Sequence, residues 1–152
     1  MRDLRSAAWR AGIFVLALLC APAVLADASV TNPPMNSPDF DLGADAVKSK
    51  NWDQAVYHLG IVAKAEPANA DAQNLLGYAY RNQRKFDLAF KHYGEALRLD
   101  PQHRGAHEYM GEAYVLTGDK ARAQEHLAAL ERICGKGCEE YQDLAKAIAQ
   151  AK

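Results

Sequence analysis

The sequence predicts an all-α fold, an α-solenoid of three helix-turn-helix repeats followed by a C-terminal capping helix. Two observations favour this fold. Glycines recur at one fixed interval of 34 residues, at Gly43, Gly77 and Gly111, and the apolar residues between them are spaced three or four apart, as on one face of a helix. An interval of this length is typical of stacked helical hairpins.

Within each repeat, the small residues predict where two helices cross closely. A glycine allows this because it has no side chain to hold the helices apart. Twelve residues after each glycine comes a second small residue, at Ala55, Ala89 and Ala123. We expect a bulky side chain of the second helix to pack there, at Leu59, Tyr93 and Leu127. The buried stripe of each second helix then continues at Val62, Ala96 and Leu130.

The predicted helices form one repeat domain over residues 38–152, with repeats at about 36–69, 70–103 and 104–137. Within it, the helices are expected at 38–49, 53–65, 70–83, 86–99, 104–117 and 120–133. A seventh helix is expected at about 139–151, where an apolar stripe lies opposite a charged side. We interpret it as a capping helix because a solenoid otherwise ends in exposed core.

The second repeat carries the most complete residue pattern: Leu76, Gly77, Tyr80, Ala89, Tyr93, Ala96 and Pro101. This pattern resembles the signature of the tetratricopeptide repeat family, and the resemblance covers residues 36–137. Two positions depart from it, since Ala46 stands where an aromatic residue is usual and Gly135 where the third proline would be. The resemblance implies a scaffold that binds a protein or peptide in a concave groove lined by the first helix of each repeat. We expect no enzyme activity and no cofactor.

A helical wheel of the first helices assigns the groove surface. The candidate partner-binding residues are Phe40, Lys48, Asn74, Tyr78, Arg81, Asn82, Glu108, Glu112 and Leu116. Tyr78 and Arg81 are the expected hot spots because these residue types dominate measured interfaces. Family members that bind chaperones hold a C-terminal carboxylate with Lys and Asn of the first repeat. Phe40 and Ala44 occupy those places here, so we do not expect that activity. Alternatively, the linker covers part of the groove, or a second copy of the chain covers it. In the second case the protein would be a homo-oligomer.

The first 26 residues have the order of a secretory signal peptide. Arginines come first, an apolar run follows at residues 11–19, and small residues precede a cleavage site after Ala26. Cleavage after Ala23 is the lesser alternative. A retained anchor is a further one, although the apolar run is shorter than the roughly 20 residues of a spanning helix. We expect export from a bacterial-type cytoplasm to the periplasm or medium, with no membrane attachment after cleavage, and a polar, proline-containing linker at residues 27–37.

The charge of the mature chain argues against a nucleic-acid partner. Cleavage would remove three arginines and one aspartate from the 18 basic and 19 acidic side chains, which leaves a net charge of −3. Proteins that bind nucleic acids carry a stripe of Lys and Arg, and none is visible after residue 26. We therefore expect a protein or peptide partner.

Two cysteines, Cys134 and Cys138, enclose the segment Gly135-Lys136-Gly137. In a continuous helix, residues four apart hold their Cβ atoms about 5–6 Å apart, whereas a disulfide needs about 3.5–4.5 Å. The helix must therefore break, and the two glycines allow this. In an oxidising compartment we expect a disulfide that reverses the chain and docks the capping helix. The alternatives are a redox-active pair, with Lys136 lowering a thiol pKa, and a metal site, which would need further ligands.

Histidines recur at the same interval, at His58, His92 and His126. Equivalent positions in successive repeats lie about 10 Å apart, too far for three nitrogens that would each bind one zinc ion at about 2.0 Å. We therefore expect half-buried structural side chains and no metal. The pair His103 and His107, four residues apart, is expected on a solvated face, and weak binding of a divalent metal ion is the alternative.

Overall fold

The computed structural model describes residues 37–151. The signal peptide predicted for residues 1–26 and nearly all of the linker predicted for residues 27–37 lie outside the described residues. Residues 37–151 form seven α-helices and no strand: α1 (Pro38–Lys48), α2 (Trp52–Ala65), α3 (Ala70–Asn82), α4 (Phe86–Leu99), α5 (Arg104–Thr117), α6 (Lys120–Cys134) and α7 (Glu139–Gln150). The all-α prediction is confirmed. None of these helices combines the length and apolar character that a membrane span requires.

Most of the helices begin at a side chain that accepts a hydrogen bond from a free backbone N–H of the first turn. These side chains are Ser37, Asn51, Asn69, His103 and Asp119. At the start of α1, Pro38 follows Ser37 at a position where a missing N–H costs nothing. The starts of these helices are therefore fixed by local sequence.

The turn inside each hairpin repeats the same backbone conformation. Lys50, Arg84 and Gly118 stand 34 residues apart, and their φ angles are 57°, 60° and 86°. Only the third repeat has glycine at this position, the residue that adopts positive φ without strain. In the first two repeats, Lys50 and Arg84 adopt this conformation although they carry long side chains, which costs about 1–2 kcal/mol for each.

The helices pair as the hairpins α1–α2, α3–α4 and α5–α6, and each hairpin packs on the next. A Cβ atom added to Gly43 would lie 2.6 Å from Cγ of Leu59, and one added to Gly77 would lie 2.7 Å from Cδ1 of Tyr93. Leu59 and Tyr93 are fully buried. The close crossings that the small residues predicted are therefore present in the first two repeats.

The third repeat differs from the prediction at the residue that covers Gly111. The nearest atoms to a Cβ added there belong to Leu144 of α7, at 2.5 Å, whereas Leu127 is only half-buried. The reason is that α7 packs against both α5 and α6. The capping helix thus supplies the side chain that the second helix supplies in the first two repeats, and Leu144 is 0% exposed.

The chain breaks between α6 and α7 at the paired cysteines. Cys134 ends α6, Cys138 precedes α7, and Gly135 between them has a φ of 79°. The Cα atoms of the two cysteines are 5.9 Å apart, a separation compatible with a disulfide. Lys136 in the turn forms an ion pair with Glu131, with Nζ 3.3 Å from Oε1. The turn sends α7 back over α5.

Candidate partner-binding groove

An aromatic cluster connects the first two repeats to the third. The rings of Trp52 and Tyr78 meet edge to face with their centroids 5.9 Å apart, and the centroids of Tyr78 and Tyr109 are 4.6 Å apart. These residues come from α2, α3 and α5. Tyr78 and Tyr109 are half-buried, so each retains some exposure to solvent.

Arg81 lies against this cluster and is already bonded within the chain. Its guanidinium carbon is 4.8 Å from the centre of the Tyr78 ring and 5.3 Å from that of Tyr109. Its Nη1 atom forms an ion pair with Glu112 and donates a hydrogen bond to the backbone carbonyl of Tyr109. The side chain is buried. Arg81 therefore holds α3 to α5, and a partner could use its charge only by displacing Glu112.

A cavity of about 250 Å³ opens beside this ion pair. It is lined by Arg81, Asn82, Glu112, Val115, Leu116 and Ala147. Four of these were predicted as groove residues, and Ala147 comes from the capping helix α7. Leu116 is exposed. The cavity thus combines an apolar wall with a charged edge where α3, α5 and α7 meet.

Two predicted groove residues of the first repeat lie elsewhere. Phe40 is half-buried and packs against the core cluster formed by α1, α2 and α3. Lys48 is exposed at the end of α1 and pairs with Asp45, with Nζ 2.9 Å from Oδ1. Neither lines the cavity near Arg81.

Asn74 and Glu108 occupy equivalent positions in the second and third repeats. Their side chains are 5% and 9% exposed. Oδ1 of Asn74 has no hydrogen-bond partner, and within residues 37–151 the carboxyl group of Glu108 has neither a hydrogen bond nor an ion pair. Burial, followed by the charges of Glu112, Asp143 and Glu140, raises the pKa of Glu108 to about 8, although Arg81 acts in the opposite direction.

The acidic side chains of α7 next to Glu108 were not predicted as part of the groove. Glu140 pairs with Arg104, with Oε1 3.3 Å from Nε, while Asp143 is exposed. The sequence indicated only that they lie on the polar side of α7. Glu140 and Asp143 lie beside α5 because Leu144 of the same helix packs on Gly111. The periodic pattern of the sequence did not indicate this packing.

A larger cavity of about 660 Å³ lies between α2, α3 and α4, and the sequence analysis missed it. Its lining includes Val56, Tyr57, Ile61, Leu76 and Tyr80. The signal available in the sequence was the apolar pair Tyr57 and Ile61 near Gly60. Tyr57 is 62% exposed.

The recurring histidines each contact a side chain of the first helix in their own repeat. Nδ1 of His58 lies 2.8 Å from Oδ1 of Asp39, and Nδ1 of His92 lies 2.8 Å from Oε1 of Gln73. In the third repeat, the Nδ1 atoms of His107 and His126 are 3.0 Å apart. Burial lowers the pKa of His92, His107 and His126, in the last case to about 4. These side chains join the two helices of each hairpin.

Stacked helical hairpins of this kind define the class of helical-repeat scaffolds, which present extended concave surfaces to their partners. Residues 70–103 match the family model of the tetratricopeptide repeat, and the fold is shared by solved tetratricopeptide domains. Residues 70–103 are therefore a tetratricopeptide repeat, and residues 37–151 have the fold of tetratricopeptide domains.

Parts of the chain are similar to three known proteins. The chain is 38% identical over 55 residues to the DnaJ protein P58IPK homolog of Arabidopsis thaliana, which covers 36% of this chain and 11% of that protein. The structure is similar to the TPR2B domain in the pHsp70 complex of yeast Sti1, with a TM-score of 0.67 and 19% identity over 75% of this chain and 95% of that one. It is also similar to the first TPR domain of Spaghetti (RPAP3) bound to the HSP90 peptide SRMEEVD, with a TM-score of 0.66 and 20% identity over 73% and 87% of the two chains. The chain spans about a tenth of the length of its curated plant relative.

Proposed function

We propose that the protein is an exported scaffold that binds a protein or peptide partner on the face made by α3, α5 and α7. The observation that supports this most is that Arg81 lies against the Tyr78 and Tyr109 rings and also lines the cavity with Glu112. Aromatic side chains next to a cavity are typical of the anchors in protein interfaces. The two similar TPR domains named above were solved with chaperone segments, which supports binding rather than catalysis as the function of this fold.

The groove is tested by replacing Tyr78 and leaving Arg81 in place. Removing Arg81 would leave Glu112 without its partner and would destabilise the fold, so a loss of binding could not be assigned to the groove. We expect Tyr78→Ala to reduce capture of partner proteins at least about tenfold, because a central aromatic anchor contributes about 2 kcal/mol or more. The measurement is a pull-down from the exported protein fraction, quantified against the wild type.

Leu88→Ala is the matched control for this test. Leu88 is an exposed apolar residue of α4, and it does not line the cavity beside Arg81. Its replacement should leave capture unchanged, and both variants should keep the helical circular dichroism of the wild type. Undiminished capture by Tyr78→Ala would rule out this face as the binding surface.

Export and the disulfide belong to the same proposal. The order of charged, apolar and small residues in the first 26 positions supports cleavage after Ala26 and delivery to the periplasm or medium. In that compartment Cys134 and Cys138, with their Cα atoms 5.9 Å apart, would form a disulfide that fixes the turn before α7. A ring this small stabilises the fold by about 2 kcal/mol at most.

The alternative function is thiol-redox chemistry or metal binding at the same turn. One observation favours it: the two cysteine sulfurs and a carboxylate oxygen of Glu140 all lie within 4.8 Å of one another. Reduced cysteines could then hold a metal ion with Glu140. Counting thiols in the native protein distinguishes the two functions. A structural disulfide leaves no free thiol, and replacing both cysteines by serine should leave partner capture intact. Free thiols, with loss of function in the double variant, would favour the alternative.

A further inference from the structure

We propose that the α5–α7 end of this face binds a cationic side chain of the partner, a lysine or an arginine, at the carboxylate of Glu108. This inference rests on the proposed function, since it names the chemistry of the segment that the groove would bind. Two observations support it. The largely buried Glu108 has no hydrogen-bond donor within the described chain, and acidic side chains surround it.

The buried acceptor is the first step. Glu108 is only 9% exposed, and its carboxylate has no ion pair or hydrogen bond within residues 37–151. Because most of the Glu108 residue is buried, ionising its carboxyl group is costly unless a donor is bonded to it. At the equivalent position of the second repeat, Oδ1 of Asn74 also has no partner. The helices α3 and α5 therefore each carry a hydrogen-bond acceptor without a donor. A donor from another chain would satisfy the carboxyl group of Glu108.

The charges around Glu108 favour a cation. Glu112 of the same helix and Glu140 and Asp143 of α7 act on it from two helices, and Arg81 of α3 acts against them. Arg81 is already paired with Glu112, and Arg104 with Glu140. No basic side chain pairs with Glu108 in the part of the chain that the structure describes. The surroundings hold its pKa at about 8, and a bound ammonium or guanidinium would lower it because the cation stabilises the ionised form.

The spacing of the acidic side chains fits a lysine or arginine of the partner better than it fits a metal ion. Among residues 37–151, the donor atoms that converge closely enough to hold a metal are those of Cys134, Cys138 and Glu140. Glu108, Glu112 and Asp143 do not form such a set. Carboxylates that are spread over two helices suit a guanidinium, which offers five N–H donors in a plane. The same charges would repel an acidic segment.

The test uses two short acetylated peptides, one alternating glycine with arginine and the other alternating glycine with glutamate. Each is labelled with a fluorophore and titrated with the purified protein, and binding is measured by fluorescence anisotropy. We expect the arginine peptide to bind and the glutamate peptide not to bind. Glu108→Gln keeps the size of the side chain but removes its charge, and it should weaken binding at least about tenfold. Asp143→Asn, at an exposed position where folding is not at risk, should weaken binding by about two- to threefold.

The pH dependence separates a contact at Glu108 from general attraction to an acidic surface. Binding to the wild type should strengthen as the pH rises from 6 towards about 8, where Glu108 becomes ionised, and then level off. Glu108→Gln should lose this dependence. Glu125→Gln, at an exposed position of α6, is the matched control and should bind like the wild type.

Equal binding by Glu108→Gln and Glu125→Gln, or equal binding of the two peptides, would overturn the inference. If the arginine peptide fails to bind while the Tyr78-dependent capture persists, the cationic specificity is wrong and the scaffold function stands. If Tyr78→Ala retains capture, the proposed groove itself fails, whatever the peptides do.

Discussion

Tyr93→Ala should lower the free energy of unfolding by about 3–5 kcal/mol, the range for truncating a large buried aromatic residue. Tyr93 is fully buried and packs with Ala89 and Ala113. Its ring lies directly against Gly77, which has no side chain that could move into the space left behind. A small domain has about 5–15 kcal/mol of stability in total, so this one change removes a large part of it. Urea unfolding followed by far-ultraviolet circular dichroism measures the loss.

Tyr93→Phe is the matched control, since it keeps the ring and removes only the hydroxyl group. That hydroxyl is buried without a hydrogen-bond partner, and burial raises the pKa of Tyr93 well above its usual range. Removing an unpaired polar atom is expected to be neutral or to stabilise the fold by about 1 kcal/mol. A loss as large as that of Tyr93→Ala would show that the hydroxyl, and not the ring, carries the effect.

Leu144→Ala should lower the free energy of unfolding by about 2–5 kcal/mol. Leu144 is 0% exposed and covers Gly111, so truncating it leaves a cavity between α5 and α7. The loss should be accompanied by faster amide hydrogen exchange in α7, because this leucine is the fully buried residue of that helix. The stability is measured by urea unfolding, and the exchange by mass spectrometry.

Leu127→Ala tests which residue covers Gly111, since the structure and the periodic pattern of the sequence give different answers. The pattern placed Leu127 over Gly111, whereas the structure leaves it half-buried and gives that place to Leu144. We expect a cost of about 1 kcal/mol or less for Leu127→Ala. If this variant costs as much as Leu144→Ala, the third repeat covers its glycine with its own second helix, as the first two repeats do.

The sequence could predict the hairpins because the requirement is local. Gly77 and Tyr93 belong to one hairpin, and a close crossing demands a small residue opposite a large one wherever the pair occurs. The helical wheel of α5 also brought Glu112 and Leu116 to one cavity, because residues on one helix face stay together whatever the neighbouring helix does.

The remainder of the site depends on contacts between repeats, which periodicity does not encode. Arg81 was predicted to face a partner, but the packing of α3 on α5 places it between two tyrosines and against Glu112. The surroundings of Glu108 depend on α7, which packs on α5 and α6 and buries Leu144 against Gly111. Phe40 turned towards the core because an apolar ring gains more there than on an open surface.

The histidine contacts imply that acid weakens the third hairpin. In the first hairpin an imidazole faces a carboxylate, whereas in the third His126 faces His107 with 3.0 Å between nitrogens. An unfolded histidine takes up its proton near pH 6.5, while the pKa of His126 in the folded chain is about 4. As the pH falls from about 6.5 to 4, proton uptake therefore favours opening of the third hairpin. The third hairpin should therefore lose stability over this pH range, which urea unfolding at about pH 6.5 and about pH 4.5 would measure.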